Sequence, residues 1–162
     1  MIRWPQRIKP GSDSPQVMIS MDWLPTLLSA AGGAPDPAHL PDGIDLLPIL
    51  TGMQDNQPRK LFWRYRSNLQ RAARDGDYKI LKIRDNSFLF DVVKDPLERA
   101  NLKDRHRDIY NQLATEWDVW NAEMLPEDRR SYVDGFDASQ LADHFGATPA
   151  DDSAVDRGSW PK

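Results

Sequence analysis

Arginine and tryptophan side chains are interleaved in one short apolar segment, residues 60–66, and they are the residues best suited to binding chemistry. The planar guanidinium groups of Arg64 and Arg66 offer paired donors to an oxyanion, and Trp63 offers a flat face to a sugar or aryl ring. We therefore expect these three side chains to contact a ligand or a partner domain. The structural alternative is that Trp63 packs on a sheet while both arginines face solvent.

The surrounding region is strongly basic although the chain is acidic overall. Residues 59–84 hold nine Lys or Arg and two Asp. Residues 1–125 carry no net charge, with 17 acidic and 17 basic side chains. Residues 126–162 hold eight acidic and four basic side chains, which accounts for the net charge of −4. The basic strip could attract an anionic substrate or an acidic partner surface, but we favour one solvated basic face of a sheet. The neutral body and a pI near 5.3 argue against nucleic acid as a partner.

Residue types that most catalytic chemistry needs are missing or scattered. The chain has no cysteine, so it offers no thiolate nucleophile and no disulfide. Its histidines, His39, His106 and His144, lie in separate regions, and no phosphate loop, zinc spacing or nucleophile elbow occurs. Asp22 is interpreted as a cap or turn residue, because no second carboxylate lies at metal-ligand spacing. We predict no catalytic or metal-binding residue.

The pattern of the 162 residues predicts an α+β fold in three parts. Residues 1–58 form a strand–helix segment, residues 59–125 an antiparallel sheet with a long helix, and residues 126–162 an acidic, partly disordered tail. No apolar run reaches the roughly 20 residues of a membrane span, so we expect a soluble chain. No signal peptide is visible in the sequence, and the compartment stays open.

Within residues 1–58, a short strand is predicted over 17–19, followed by a helix. The helix is capped by Ser20 or Asp22 and ends at Gly32, which suits a left-handed position. Its apolar residues recur at spacings of three and four, which predicts one buried stripe: Leu24, Leu27, Leu28 and Ala31. Residues 43–52 predict one further helical turn.

Within residues 59–125, four consecutive strands predict an antiparallel meander. They are expected at 60–66, 69–74, 78–83 and 88–93, with turns at 75–77 and at Asp85-Asn86. Asp95 to Glu98 predicts a helical turn with a capping box. A long helix from about 106 to 124 should pack on the sheet through Ile109, Leu113, Trp117, Trp120 and Met124.

Four stretches resemble the sulfatase family of the alkaline-phosphatase-like superfamily, and they follow one another along the chain in the same order as in that family. The run "RDGDYKILKI…FLFDVVKDPLERANL" is similar to the family's C-terminal signature. Upstream, "RWPQRIKPG" resembles the loop WPGxIKPG, with Gln6 in the place of the usual glycine, and "DWLPTLLSAAG" resembles D-x-x-PT-LL-x-x-AG. The stretch "DGIDLLPILTG" resembles DGxSLLPxLxG, with Asp45 replacing the serine. The resemblance covers about residues 1 to 125, and it implies that residues 1–58 are a strand–helix remnant at the C-terminal edge of an alkaline-phosphatase-like α/β domain.

The resemblance implies the C-terminal part of a sulfuric ester hydrolase. In that family a formylglycine from a C/S-x-P-x-R motif attacks sulfur, and a calcium ion held by Asp and Asn neutralises the sulfate oxygens. None of these residues maps onto this chain, so calcium and the formylglycine are expected only in a full-length enzyme. We predict a chain that is inactive alone and supports the substrate cleft, with Trp63, Arg64 and Arg66 contacting a sulfated substrate or the catalytic domain.

Two alternatives stay open at this point. The signature does not separate sulfate esters from phosphonate or phosphate monoesters, and the chain could instead be a stand-alone, non-catalytic interaction module. The expected partner is a catalytic domain outside this sequence, or a second copy bound through an exposed N-terminal apolar segment. A sulfated small molecule or sugar is expected for the full-length enzyme, and neither nucleic acid nor a membrane is.

Overall fold

The structure is a computed structural model that describes residues 1–65 and 69–127. The chain divides into two compact units, Met1–Arg59 and Lys60–Lys162. Arg66 and residues 128–162 of the predicted acidic, partly disordered tail lie outside the described residues. In the part of the chain that is described, no helix is long and apolar enough to cross a membrane.

The first unit contains short helical elements joined by extended chain. They are a 3-10 turn, Ser20–Asp22, and the helices α1, Trp23–Ala30, and α2, Leu47–Leu50. The turn predicted within 43–52 is confirmed by α2. The strand predicted at 17–19 is wrong, because the segment pairs with no described strand and runs directly into the 3-10 turn. A strand needs a neighbouring ladder for its backbone groups, and three apolar residues do not supply one.

Helix α1 ends as its sequence predicts. Gly32 has a φ of +79°, its amide donates to the carbonyl of Ser29, and the amide of Gly33 donates to the carbonyl of Leu28. This pair of bonds satisfies carbonyls that the last turn leaves open, and it requires a residue that tolerates the left-handed region. Gly32 is therefore the residue that stops the helix.

The buried stripe predicted for α1 is wrong. Its four members are exposed or only half-buried: Leu24 (66% exposed), Leu27 (61%), Ala31 and Leu28. Pro25 and Thr26 are buried instead. Apolar spacing predicts which residues share a helix face, but it does not predict which face meets a neighbour.

The second unit is the predicted four-stranded antiparallel meander, with strand order β1-β2-β3-β4. The strands are β1, Lys60–Tyr65; β2, Gln70–Asp75; β3, Tyr78–Ile83; and β4, Asn86–Asp91. Two-residue turns join β2 to β3 and β3 to β4, with φ of +54° at Gly76 and +51° at Arg84. Positive φ values give such turns the twist that matches the strands they connect. Together with the helices, the sheet confirms the α+β fold.

The strand register assigns alternate residues to the two faces of the sheet. One row across the four strands is Phe62, Ala73, Ile80 and Leu89. The neighbouring row, on the opposite face, is Trp63, Ala72, Leu81 and Phe88. The first row faces helix α3, Arg107–Ala122, and forms the core with it.

The core lies between α3 and this first row. Trp117, Tyr110 and Leu113 are at most 2% exposed there. Phe62 stacks on Trp120, with 5.6 Å between the ring centroids. The predicted stripe is confirmed for Ile109, Leu113, Trp117 and Trp120, all of which belong to or pack on the core cluster. It is wrong for Met124, which follows the end of α3 and is 36% exposed.

The helical turn predicted at Asp95 to Glu98 is also wrong. The amide of Glu98 donates to the carbonyl of Asp95 in a single turn, and Glu98 has a φ of +54°. A residue in the left-handed region cannot continue a right-handed helix. The Asp95 carboxylate accepts the amides of Arg99 and Ala100 instead, and the Glu98 carboxylate binds Lys79 at 2.6 Å.

Candidate functional site

Arg64 lies on the α3 side of the sheet, where its guanidinium group forms hydrogen bonds with residues at the end of the helix. Its Nη1 donates to Oδ1 of Asn121 at 3.1 Å, and its Nη2 donates to the carbonyl of Leu125 at 2.7 Å. Both acceptors lie at or just beyond the C-terminal end of α3, where carbonyls lack intrahelical partners. In this arrangement Arg64 fixes the end of α3 against β1.

Trp63 lies on the opposite face of β1, half-buried, and its carbonyl accepts a hydrogen bond from Nε1 of Trp117 at 2.9 Å. Because neighbouring residues of a strand point to opposite faces, Trp63 and Arg64 cannot contact one small ligand together. Arg66 lies outside the described residues. Contact of these three residues with a substrate stays a prediction, and any contact would involve two separate surfaces.

The expectation of a solvated basic face is wrong for the interior of the strip. Arg71 and Lys82 are only 4% and 2% exposed. The guanidinium carbon of Arg71 lies 4.8 Å from the ring centroid of Trp117, and its Nη2 is 3.7 Å from a carboxylate oxygen of Glu127. A buried charge requires such compensation. These cations thus belong to the junction between sheet and helix.

At the other end of β1, Lys60 lies between two carboxylates. Its Nζ is 2.6 Å from Glu116 and 3.2 Å from Asp75. The hydrogen bond from Lys60, with a second from Gln112, lowers the pKa of Glu116, and the same bond raises the pKa of Lys60. A positive residue count in the sequence therefore does not mean a positive surface, since several of these charges are paired within the unit.

In the first unit, the side chain of Asp22 is fully buried and joins three segments. Its oxygens accept the amides of Ile19 at 2.8 Å and Ile44 at 3.0 Å, and Nη1 of Arg59 at 2.5 Å. Burial alone would raise the pKa of Asp22, but these hydrogen bonds and the charge of Arg59 outweigh it, so the pKa lies below its ordinary value. The predicted turn role of Asp22 is confirmed.

Gly43 shows how closely the same segments approach each other. A Cβ atom at Gly43 would lie 2.2 Å from the carbonyl oxygen of Met21. Three positions further on, the amide of Leu46 donates to the hydroxyl of Thr26 at 2.9 Å. The segments at 19–26 and 43–46 therefore meet backbone to backbone, and the polar side of α1 is the side that faces inward.

The opposite side of α1 is apolar and exposed. We define the α1 face as the exposed large apolar side chains on or beside this helix: Met21, Trp23, Leu24 and Leu27. Contiguous exposed apolar residues usually mark a surface that meets another protein. The α1 face is therefore the clearest candidate interaction surface of the first unit.

A cavity of about 260 Å³ opens in the second unit beside the start of α3. It is lined by Lys103, Arg107, Tyr110 and Asn111. Sequence reasoning missed it, because its residues look like the polar side of an amphipathic helix and its preceding loop. Ser87 of β4 lies next to this lining, because its hydroxyl accepts a hydrogen bond from Lys103.

Among the described residues, no three His, Asp or Glu side chains lie close enough together to hold a metal ion. We assign no metal ligand and no reacting group to the described residues.

Comparison with known proteins matches residues 1–123 to a family model described as N-sulphoglucosamine sulphohydrolase, C-terminal. An uncharacterized sulfatase of Schizosaccharomyces pombe is 32% identical over 136 residues, which cover 76% of this chain and 24% of that protein. The N-acetylgalactosamine-6-sulfatase of Canis lupus familiaris is 42% identical over 76 residues, 47% of this chain and 14% of that protein.

Among solved structures, that of Ps i-CgsB is similar, with a TM-score of 0.63 and 19% identity over 80% of this chain and 29% of that one. At this identity the likeness shows a shared fold. The chain spans about a quarter or less of the length of the curated relatives it matches.

Proposed function

The chain belongs to the sulfatase family, whose C-terminal portion it matches, and from this we propose that it is the C-terminal part of a sulfuric ester hydrolase. The observation that carries the proposal is the family match over residues 1–123, which extends through both units. In this role the chain supports the substrate cleft, while residues outside this sequence supply the nucleophile and the metal site.

We further propose a sulfated amino sugar as the substrate class of the complete enzyme. The matching family description names a sulphoglucosamine, and a relative at 42% identity is named for N-acetylgalactosamine 6-sulfate. The alternative of a phosphonate or phosphate monoester has less support, because the family description names a sulphohydrolase and the yeast and dog relatives are both named as sulfatases. Trp63, Arg64 and Arg66 stay the proposed contacts to the substrate or to the catalytic domain.

The α1 face is the proposed contact to the catalytic domain. Full burial of an exposed leucine contributes about 1.5–3 kcal/mol, so Leu24 and Leu27 alone offer a substantial driving force for docking. The inward side of α1 is already satisfied by the bonds of Asp22 and Thr26. The outward leucines are therefore free to meet a second apolar surface.

A chimera tests this proposal. The dog N-acetylgalactosamine-6-sulfatase would carry this chain in the place of its own matched C-terminal portion, and release of sulfate from N-acetylgalactosamine 6-sulfate would be measured. We expect turnover by the chimera and none by either the truncated relative or this chain alone.

Two variants of the chimera test the docking surface. Leu27→Asp on the α1 face should abolish assembly and turnover, because a carboxylate would be buried without a partner. Leu40→Asp is the matched control, since Leu40 is 73% exposed and lies in a loop outside α1. A folded chimera without turnover, or sulfate release by this chain alone, would contradict the supporting role. Equal effects of the two substitutions would contradict the assigned surface and favour an independent interaction module.

A further inference from the structure

The cavity beside the start of α3 contains a lysine whose position is fixed from several sides. Nζ of Lys103 donates to Oγ of Ser87 at 2.7 Å and lies 4.9 Å from the ring centroid of Tyr110. Ser87 and Tyr110 are only 9% and 2% exposed, and their side chains share a hydrogen bond. The ammonium group is thus held at the cavity wall by a buried serine and a buried ring.

The backbone before Lys103 is fixed as well. Oδ1 of Asn101 accepts the amides of Leu89 and Lys103, each at 3.1 Å, and the amide of Leu102 donates to the carbonyl of Leu89 at 2.7 Å. These bonds hold residues 101–103 against strand β4. A binding group on so rigid a support loses little conformational freedom when a ligand arrives.

A second cation and an amide complete the lining. Arg107 pairs with Asp104 at 3.0 Å, but both side chains are more than half exposed, and an exposed pair of this kind contributes at most about 1 kcal/mol. The fork of Arg107 can therefore exchange Asp104 for a better acceptor at low cost. Asn111 adds an uncharged group that can donate a hydrogen bond.

We propose that this cavity binds an oxyanion of the size of a sulfate group, either free or carried on a monosaccharide. Two of the four lining residues, Lys103 and Arg107, carry an ammonium and a guanidinium group, which match the charge and the donor needs of such an anion. The volume of about 260 Å³ lies just below the roughly 300–1,000 Å³ of common small-molecule sites, which suits a single ring and excludes a long oligosaccharide.

The electrostatics of the lysine agree with this geometry. Burial lowers the pKa of Lys103, while Asp104 opposes that shift and Arg107 adds to it. An anion in the cavity would restore stabilisation that the buried ammonium has lost from water. The site stands on contacts within the second unit alone, so it does not depend on the supporting role proposed above.

The test is a titration of the full chain followed by amide chemical shifts of residues 103, 107 and 111. Sodium sulfate, glucosamine 6-sulfate and unsulfated glucosamine would each be added at constant ionic strength set with sodium chloride, so that general screening stays the same. We expect saturable shifts with both sulfated compounds, with a Kd on the order of 1 mM, and none with glucosamine. Tighter binding of glucosamine 6-sulfate than of sulfate would assign the ring to the cavity; equal binding would assign the free anion.

Two charge-matched variants separate a site from general attraction. Arg107→Gln should weaken sulfate binding at least about fivefold, because a charge-assisted contact is lost. Arg105→Gln removes the same charge from an exposed neighbour that does not line the cavity, and it should change binding less than twofold. Equal losses in the two variants, or no saturable shift with either sulfated compound, would overturn the proposal.

Discussion

Replacing Asp22 by asparagine should open the first unit locally. Oδ2 of Asp22 accepts both the amide of Ile19 and Nη1 of Arg59, while Oδ1 accepts the amide of Ile44. Asparagine has one oxygen and an NH2 group, so at least one of these donors would face another donor. Arg59, whose side chain is 12% exposed, would also lose its charged partner.

The magnitude follows from the burial of the pair. Removing one partner of a buried ion pair costs about 3–5 kcal/mol, because the remaining charge stays desolvated. Asparagine keeps part of the hydrogen bonding, so we take the lower end, about 3 kcal/mol, which corresponds to roughly a 150-fold change in the opening equilibrium. Hydrogen exchange measured by mass spectrometry reports this equilibrium for peptides covering 17–31 and 43–52.

Asp36→Asn is the control, because Asp36 also accepts a backbone amide, that of Ala38 at 2.9 Å, but is exposed. Its effect should stay below about 1 kcal/mol. Less than a tenfold change in the opening equilibrium for Asp22→Asn, or an equal change in the two variants, would refute the conclusion that the Asp22 carboxylate holds the segments of this unit together. Peptides covering 107–122 serve as the internal reference.

The same carboxylate predicts a dependence on pH. The pKa of Asp22 is lowered in the folded chain, so its contribution is fully present above the unfolded value of about 3.9 and is lost as the pH falls through the folded value. Protection of the 17–31 peptide in the unsubstituted chain should therefore fall as the pH is lowered below about 4. Asp22→Asn should lack this part of the pH dependence.

Four further substitutions have expected outcomes. Gly43→Ala should destabilise the first unit by about 2–3 kcal/mol, because the added Cβ would overlap the backbone of Met21. Gly52→Ala should cost only about 1–2 kcal/mol, because there is open space around Gly52 and the cost comes from its φ of +74°. Hydrogen exchange measures both costs, and equal values would contradict the close approach at Gly43. Trp117→Ala should lower the free energy of unfolding in urea by about 3–5 kcal/mol, and a loss below about 1.5 kcal/mol would contradict its place in the core. Asp95→Ala should speed amide exchange at residues 99 and 100 by roughly fivefold, as expected for a lost capping bond of about 1 kcal/mol, and unchanged exchange there would contradict the observed turn.

Much of the second unit could be predicted from its sequence. The strand β3, Tyr78–Ile83, has the predicted bounds, and the strands on either side differ by a few residues at their ends. Period-two alternation and two short turns are local signals, so each strand and its two faces follow from neighbouring residues. Two of the errors lie where a non-glycine residue adopts a positive φ, which its sequence context does not indicate. Arg84 begins the second turn one residue before the predicted Asp85-Asn86, and Glu98 ends the turn that was predicted to be helical.

Long-range partners could not be predicted in the same way. The sequence shows the charge of Arg71, but its burial depends on Trp117 of α3 and on Glu127, which lie far along the chain. The cavity at Lys103 depends likewise on Ser87, which reaches it only through the contact between β4 and residues 101–103. The pattern of one segment indicates the charge and polarity of a side chain, whereas its burial and its bonding partners depend on residues elsewhere in the chain.

Helix α1 shows the most informative disagreement between pattern and structure. In a self-contained domain an amphipathic helix buries its apolar face, yet here Pro25 and Thr26 are buried while Leu24 and Leu27 are exposed. The inward side is fixed by hydrogen bonds to the 43–46 segment, so the helix cannot simply rotate to bury its leucines without leaving buried amides unpaired. The exposed leucines are therefore a fixed feature of the unit. A second surface that covers them would gain apolar burial without disturbing the hydrogen bonds of Asp22 and Thr26. This reasoning makes Leu27→Asp in the chimera the sharpest test of the α1 face.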